Sequence, residues 1–227
     1  MQYFVYFNFK IRIMIAVITG DIISSRKLSN QDKWILPLKE LFNTWGERPR
    51  DWELERGDYF QVEIIKPEEA LIRAFQIKAL IKKVKPEQKN KTHSSIDVRI
   101  SIGVGDKTYS GESIKESNGS AFIHAGEKFD RLKKENTNLG IQTPWKEFDK
   151  EINLYLKLSS VFMDKWSISS AELIEIILQS PDLTQEEVGE ILGIKQSGVS
   201  GRWNRTHVDK LLEVEKAYRK KITTLIQ

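Results

Sequence analysis

Thr143-Pro144 separates two unlike halves of the chain. On its N-terminal side, short apolar runs of strand length alternate with stretches whose apolar residues recur at helical spacing. On its C-terminal side only the helical spacing remains. Proline stops regular structure, because it lacks an N–H and restricts the residue before it. Strands mixed with helices, then helices alone, predict an α+β domain followed by an all-α domain. The expected division is an N-terminal extension over 1–13, an α+β domain over 14–143 and a helical domain over 144–227. With 227 residues and a 40% hydrophobic content, each part has apolar side chains enough for a core.

Residues 13–18 are a continuous apolar run that predicts a strand, ended by Thr19-Gly20-Asp21. Ser29 or Asn30 is placed to cap a helix reaching Trp45. Residues 52–56 and 59–64 read as two strands joined by a tight turn at Gly57-Asp58. Pro67 opens a helix to about Val84, and the polar, lysine-rich stretch 82–95 reads as a solvated loop. A strand over 96–104 follows, then a polar loop. Next comes a helix over 119–135 that buries Phe122, Ala125, Phe129 and Leu132, and a short strand over 139–142. This order suits a ferredoxin-like layer of antiparallel strands backed by helices.

In the helical half, residues 184–206 have the layout of a helix-turn-helix. Thr184 and Glu187 make a capping box, Val188, Ile191 and Leu192 share a face, and Gly193 permits the left-handed turn that ends the first helix. The second helix starts near Lys195 and turns Val199 and Trp203 inward. Lys195, Gln196, Ser197, Ser200, Arg202, Asn204 and Arg205 are left to face DNA, with Arg202 and Arg205 on phosphate or guanine and Gln196, Ser197 and Ser200 on base edges. Residues 195–221 carry eight basic against three acidic side chains, which suits a phosphate-facing surface. Gly198 and Gly201 each cost this helix about 1 kcal/mol of propensity relative to alanine. A single such module needs a partner, so a homodimer is expected, made through the first domain or the helix over 145–166.

Composition narrows the chemistry. The absence of cysteine removes disulfides, thiol catalysis and thiolate metal sites. His93, His124 and His207 are too scattered for the usual zinc spacing. Lys10 and Arg12 interrupt the apolar N-terminus before it reaches a bilayer-spanning length, and Met1 and Met14 are both candidate starts.

Four features of the first half recur in a known order. They are Asp21-Ile22 after the first strand, Gly57-Asp58 at the hairpin, the strand RISIGVG over 99–105, and His124, Lys128 and Arg131 on one helix face. Together they resemble the class III nucleotidyl cyclase domain. The resemblance implies divalent metal, Mg²⁺ or Mn²⁺, on Asp21 and Asp58. It also implies nucleotide contacts from Gly20, Ile22, Gly57, Lys128 and Arg131, and a site shared between two protomers. The departures are His124 at the family's asparagine, Lys128 at its transition-state arginine and Leu54 at its base-reading position. Lysine is a point donor without the planar fork of arginine, so His124 and Lys128 are the catalytic candidates of an altered site.

Over 14–221 the chain also resembles the SatD family, through MIAVITGDIISSRKL, GDYFQVEI, YSGESIKESNGSAFIHAGEKFDRLK and LTQEEVGEILGIKQSGVSGR. That resemblance implies a bacterial, cytoplasmic protein. The leading expectation is a dimeric DNA-binding transcriptional regulator with a cyclase-like, nucleotide-sensing domain. A metal-dependent nucleotidyl cyclase or related phosphoryl-transfer enzyme is one alternative. A protein–protein adaptor with vestigial sites is another.

Overall fold

A computed structural model describes residues 13–55, 58–87 and 91–227. The N-terminal extension, apart from Ile13, therefore lies outside the described residues, as does Gly57. The fold is mixed α+β, with one five-stranded sheet and a series of helices.

The first strand, β1 (Met14–Ile23), lies at the centre of the sheet. It is flanked by β3 (Tyr59–Ile64) and β4 (Asp97–Asp106), both antiparallel to it. Short β2 (Trp52–Leu54) pairs antiparallel with β3 at one edge. At the other edge β5 (Leu139–Gln142) runs parallel to β4, so the antiparallel expectation fails for this strand. The physical reason is the connection. A helix, α3 (Ser120–Leu132), crosses the sheet between β4 and β5 and returns the chain in the same direction. β1 also outruns its expected end at Thr19-Gly20-Asp21. Ladders on both sides carry it through Asp21, paired with Tyr59 and Arg99, to Ile23.

α3 covers one face of the sheet, with Ala121 and Ala125 against Ile15 and Val17. Its approach explains the two glycines of RISIGVG: a Cβ on Gly103 would stand 2.2 Å from the Ala121 carbonyl oxygen. The expected buried residues of α3 are half right. Ala125 and Leu132 are buried, Phe122 and Phe129 only partly so, and Lys128 is buried with them. The other face receives α1 (Asp32–Asn43) and α2 (Ala70–Lys82). Within the stretch read as a solvated loop, Lys82 instead ends α2 and is buried, as is Val84; residues 88–90 lie outside the described residues.

After β5 come α4 (Lys146–Met163), α5 (Ile168–Gln179), α6 (Gln185–Leu192), α7 (Gln196–Thr206) and α8 (Val208–Ile226). Their buried side chains join those of the sheet in one continuous cluster. Polar links cross the same boundary. Buried Lys78 bonds Asp97 at 3.0 Å and Asp164 at 2.6 Å, and the Tyr218 hydroxyl donates to the Pro67 carbonyl at 2.6 Å. Among the described residues no helix is long and apolar enough to cross a membrane.

Candidate functional site

Asp21 sits near the C-terminal end of β1, on the face that α3 covers. Its neighbours are set by strand register: Tyr59 on β3 and Arg99 on β4 lie directly opposite. Arg99 Nη1 approaches Asp21 Oδ2 at 3.4 Å. The other oxygen, Oδ1, is buried without a hydrogen-bond partner, and so is Arg99 Nε. Burial raises the Asp21 carboxyl above its ordinary range; Arg99 partly offsets this, and the nearby Asp58 carboxylate adds to it. Strand pairing brings the two aspartates together: Asp21 lies opposite Tyr59, the residue after Asp58.

Asp58 enters β3 from the hairpin with φ of 145°, an uncommon conformation for a residue with a side chain. Its carbonyl accepts from Ile22 N–H at 3.2 Å, and its carboxylate accepts from the Ser25 hydroxyl. The turn after β1, with Ser24 at φ of 62°, folds buried Ser25 back onto the hairpin. Asp21 and Asp58 thus lie at one end of the sheet, the first beside the Arg99 guanidinium and the second held by Ser25.

Two of the expected nucleotide contacts do not present side chains there. Ile22 is part of the hydrophobic core, and Gly20 packs on Phe60, where a Cβ would stand 2.3 Å from Cζ. Odd-numbered residues of β1 face α3, so Gly20 and Ile22 point to the opposite side.

His124, Lys128 and Arg131 do share a face, but it turns toward β5 and the far end of β4, away from the aspartates. His124 Nδ1 donates to the Val104 carbonyl at 2.7 Å. Val104 pairs with Ala16, five residues before Asp21 on β1, which is about 16 Å at the usual rise of a strand. Lys128 lies under Gly140 and bonds Glu135 at 2.6 Å. Arg131 donates to the Gln142 side chain. Asp149, held by Thr143, neighbours His124 and Lys128; burial raises its carboxyl, while the Thr143 hydrogen bonds and, to a lesser extent, these two neighbours pull it down. Within one chain, the catalytic candidates and the metal candidates are therefore separate groups. Leu54 is half-buried on β2, while Glu53 beside it is taken up by Arg48 at 2.6 Å.

Sequence reading missed Arg99, Ser25 and Tyr59. Arg99 stands inside the quoted strand motif, yet its role depends on cross-strand register, which no local pattern reveals.

Among the described residues no group of three or more His, Asp or Glu side chains is arranged to hold a metal ion. The aspartate pair alone still suits a magnesium-like cation, which takes one or two carboxylates and completes its shell with water and phosphate oxygens. The unpartnered Oδ1 of Asp21 is an acceptor such a cation would satisfy.

The second expected surface lies on α6 and α7. Thr184 and Glu187 make both halves of the capping box. Gly193 closes α6 in the left-handed conformation at φ of 64°. Val188 and Val199 are fully buried, and Leu192 and Trp203 partly. Ile191, expected on the inward face, is 59% exposed because the helix turns it past the contact with α7. Lys195, Gln196, Ser197, Asn204 and Arg205 are exposed and Ser200 half-exposed. Gln196 also bonds Gln185 across the turn at 2.7 Å. Arg202 departs from expectation: its guanidinium points to α5, 3.4 Å from the Ser169 carbonyl and 3.5 Å from Glu172.

The sequence model of the SatD family matches residues 14–222. No curated protein matches the chain. Among solved structures, one match is the active GGEEF domain of a diguanylate cyclase from Vibrio cholerae, at 14% identity and a TM-score of 0.39, covering 57% of this chain and 82% of that one. A likeness at that score carries no argument about this chain's chemistry. The family match spans nearly the whole chain and joins both halves in one unit: the chain belongs to the SatD family.

Proposed function

We propose that the chain is a DNA-binding regulator. In this reading α6 and α7 act as a helix-turn-helix, and the Asp21–Asp58 end of the sheet takes a divalent cation with the phosphates of a nucleotide. The observation that carries the reading is the exposed start of α7, where Lys195, Gln196 and Ser197 stand together on a well-capped, tightly turned helix pair. Short polar side chains at a helix N-terminus are suited to base edges, and the helix end and Lys195 to phosphate. Lys195 and Arg205 lie ten residues apart on α7, about 15 Å along its axis, so they reach phosphates at separate points. Arg202 has a different task in this reading, since its guanidinium anchors α7 to α5.

The basic surplus of 195–221 is smaller in space than in sequence. Arg202, Lys210, Arg219 and Lys221 are in ion pairs, with Glu172, with Asp209 and Glu213, with Glu215 and with Glu151. One copy therefore offers few phosphate contacts, which makes the expected affinity low and strongly dependent on a second copy. At the other end, Asp21 and Asp58 would hold Mg²⁺ or Mn²⁺, and the cation would tie down nucleotide phosphates. The division near Pro144 belongs to this reading as a boundary between a sensing part and an output part. The catalytic alternative lacks a supporting contact, because His124 and Lys128 are engaged with Val104 and Glu135.

The test is fluorescence anisotropy of the intact chain with short random-sequence duplexes, between about 50 and 200 mM salt. The expected result is affinity that falls steeply with salt. Lys195→Ala and Arg205→Ala should each shrink the logarithmic slope by about one. Salt-independent binding, or an unchanged slope in the double variant, overturns the DNA reading and leaves the adaptor role standing.

A further inference from the structure

α4 buries Phe148, Ile152, Leu156 and Met163 on one side. On its opposite side Leu154, Leu158 and Val161 are 54%, 61% and 62% exposed. They follow one another at spacings of four and three, so they form a single apolar ridge. Beside the ridge, α4 and α8 flank a groove of about 370 Å³ lined mainly by Tyr155, Leu158, Phe162 and Val214, together with Lys210 and Glu213. Scattered apolar side chains on a surface need no explanation, but a ridge with an apolar groove alongside it marks an interaction site.

The pattern along α4 identifies the occupant. Rotating a second copy by a two-fold axis through Leu158 lays the helices antiparallel. Each residue then meets the one equally far on the other side of 158. Leu154 meets Phe162, Tyr155 meets Val161, and Leu158 meets itself. At the ends Glu151 comes opposite Lys165, in the turn that follows α4, an acidic side chain toward a basic one. Every apolar position of the ridge finds an apolar partner and the flanking charges are opposite in sign. Such a patch carries both knob and hole, which is the requirement for an isologous contact.

We propose that two copies of this chain associate through α4, in antiparallel register about Leu158, with each ridge seated in the other's groove. Lys165 is exposed, and among the described residues it makes no ion pair. Glu151 is shared between Lys221 at 2.7 Å and the Tyr155 hydroxyl at 2.5 Å, which holds it at the edge of the groove. The interface lies on the helical half, away from Asp21 and Asp58, so it does not depend on a nucleotide. It is also independent of the DNA reading, because association is measured without DNA.

The chain contains no cysteine, so one introduced thiol reports one position. Leu158→Cys places a thiol on the axis of each copy, and mild oxidation should convert most of the protein to a covalent dimer. Ile123→Cys, also exposed but on α3, should remain uncross-linked. By sedimentation, the wild type should show twice the chain mass of 26.4 kDa and Leu158→Asp the single mass, with circular dichroism unchanged. A wild type that sediments as a single chain overturns the proposal. So does a Leu158→Asp variant that stays dimeric, or cross-linking through Ile123→Cys in place of Leu158→Cys.

Discussion

Asp21 combines two roles that oppose each other. Its strand position buries it beside Arg99, and that burial makes its charge costly. The folded chain therefore holds the Asp21 proton more tightly than the unfolded chain does. Stability linked to this group is fully present below the unfolded value of 3.8 and is lost as pH rises through the raised folded value. Asn at this position cannot ionise. Asp21→Asn should match the wild type in melting temperature at acid pH and exceed it increasingly toward neutrality, measured by calorimetry without divalent cation. A neutral-pH melting temperature below that of the wild type would show that the Arg99 pair outweighs the burial cost. Asp21 and Asp58 stand out as candidates because an aspartate near the end of an apolar run and one at a hairpin tip are local patterns, and the fold places both at one end of the sheet. Arg99 and Ser25 do not, because one reaches Asp21 through strand pairing and the other reaches Asp58 through a turn that folds back over the hairpin. The basic face of α3 shows the reverse: spacing gave the shared face correctly, yet only packing decides that it meets β5.

Elements were most legible where their ends carry chemistry. β5 matches its expected residues, and α6 begins and ends at Thr184 and Gly193 through a capping box and a left-handed glycine. β1 was cut short in sequence because Gly20 and Asp21 resemble a turn, whereas ladders on both sides hold them in the sheet. Apolar character alone points Ile191 inward, whereas Val188 and Leu192 take the contact side of α6 and leave it 59% exposed. The capping box is a stability device with a predictable cost. Thr184 accepts from Glu187 N–H at 3.3 Å, and the Glu187 carboxylate accepts from Thr184 N–H at 2.7 Å. Thr184→Ala should lower the unfolding free energy by about 1 kcal/mol. Denaturant titration should show a lower midpoint with an unchanged slope. A midpoint equal to the wild type would mean that packing against α5 and α7 holds α6 without its cap.

The two halves, unlike in sequence, share their interior. Buried residues from both sides of Pro144 form one cluster, and Lys78 and Lys82 join Asp97 at the start of β4 to Asp164 after α4. No periodicity announces such a junction, since Lys78 and Asp164 are 86 positions apart and Tyr218 and Pro67 151. The same junction stands between the two proposed sites. Asp97 is two residues before Arg99, the partner of Asp21. At the other end Trp166, two residues after Asp164, donates through its indole N–H to the Thr206 carbonyl at the end of α7. A cation and nucleotide at Asp21 and Asp58 would thereby bear on α7, the element proposed to face DNA. The most direct measurement is DNA affinity of the intact chain with and without each nucleoside triphosphate and Mg²⁺, in the wild type and in Asp58→Asn. One nucleotide should change wild-type affinity by at least about fivefold and leave Asp58→Asn unaffected. Equal affinity with and without every nucleotide, or a shift of the same size in Asp58→Asn, would contradict the coupling of the two sites.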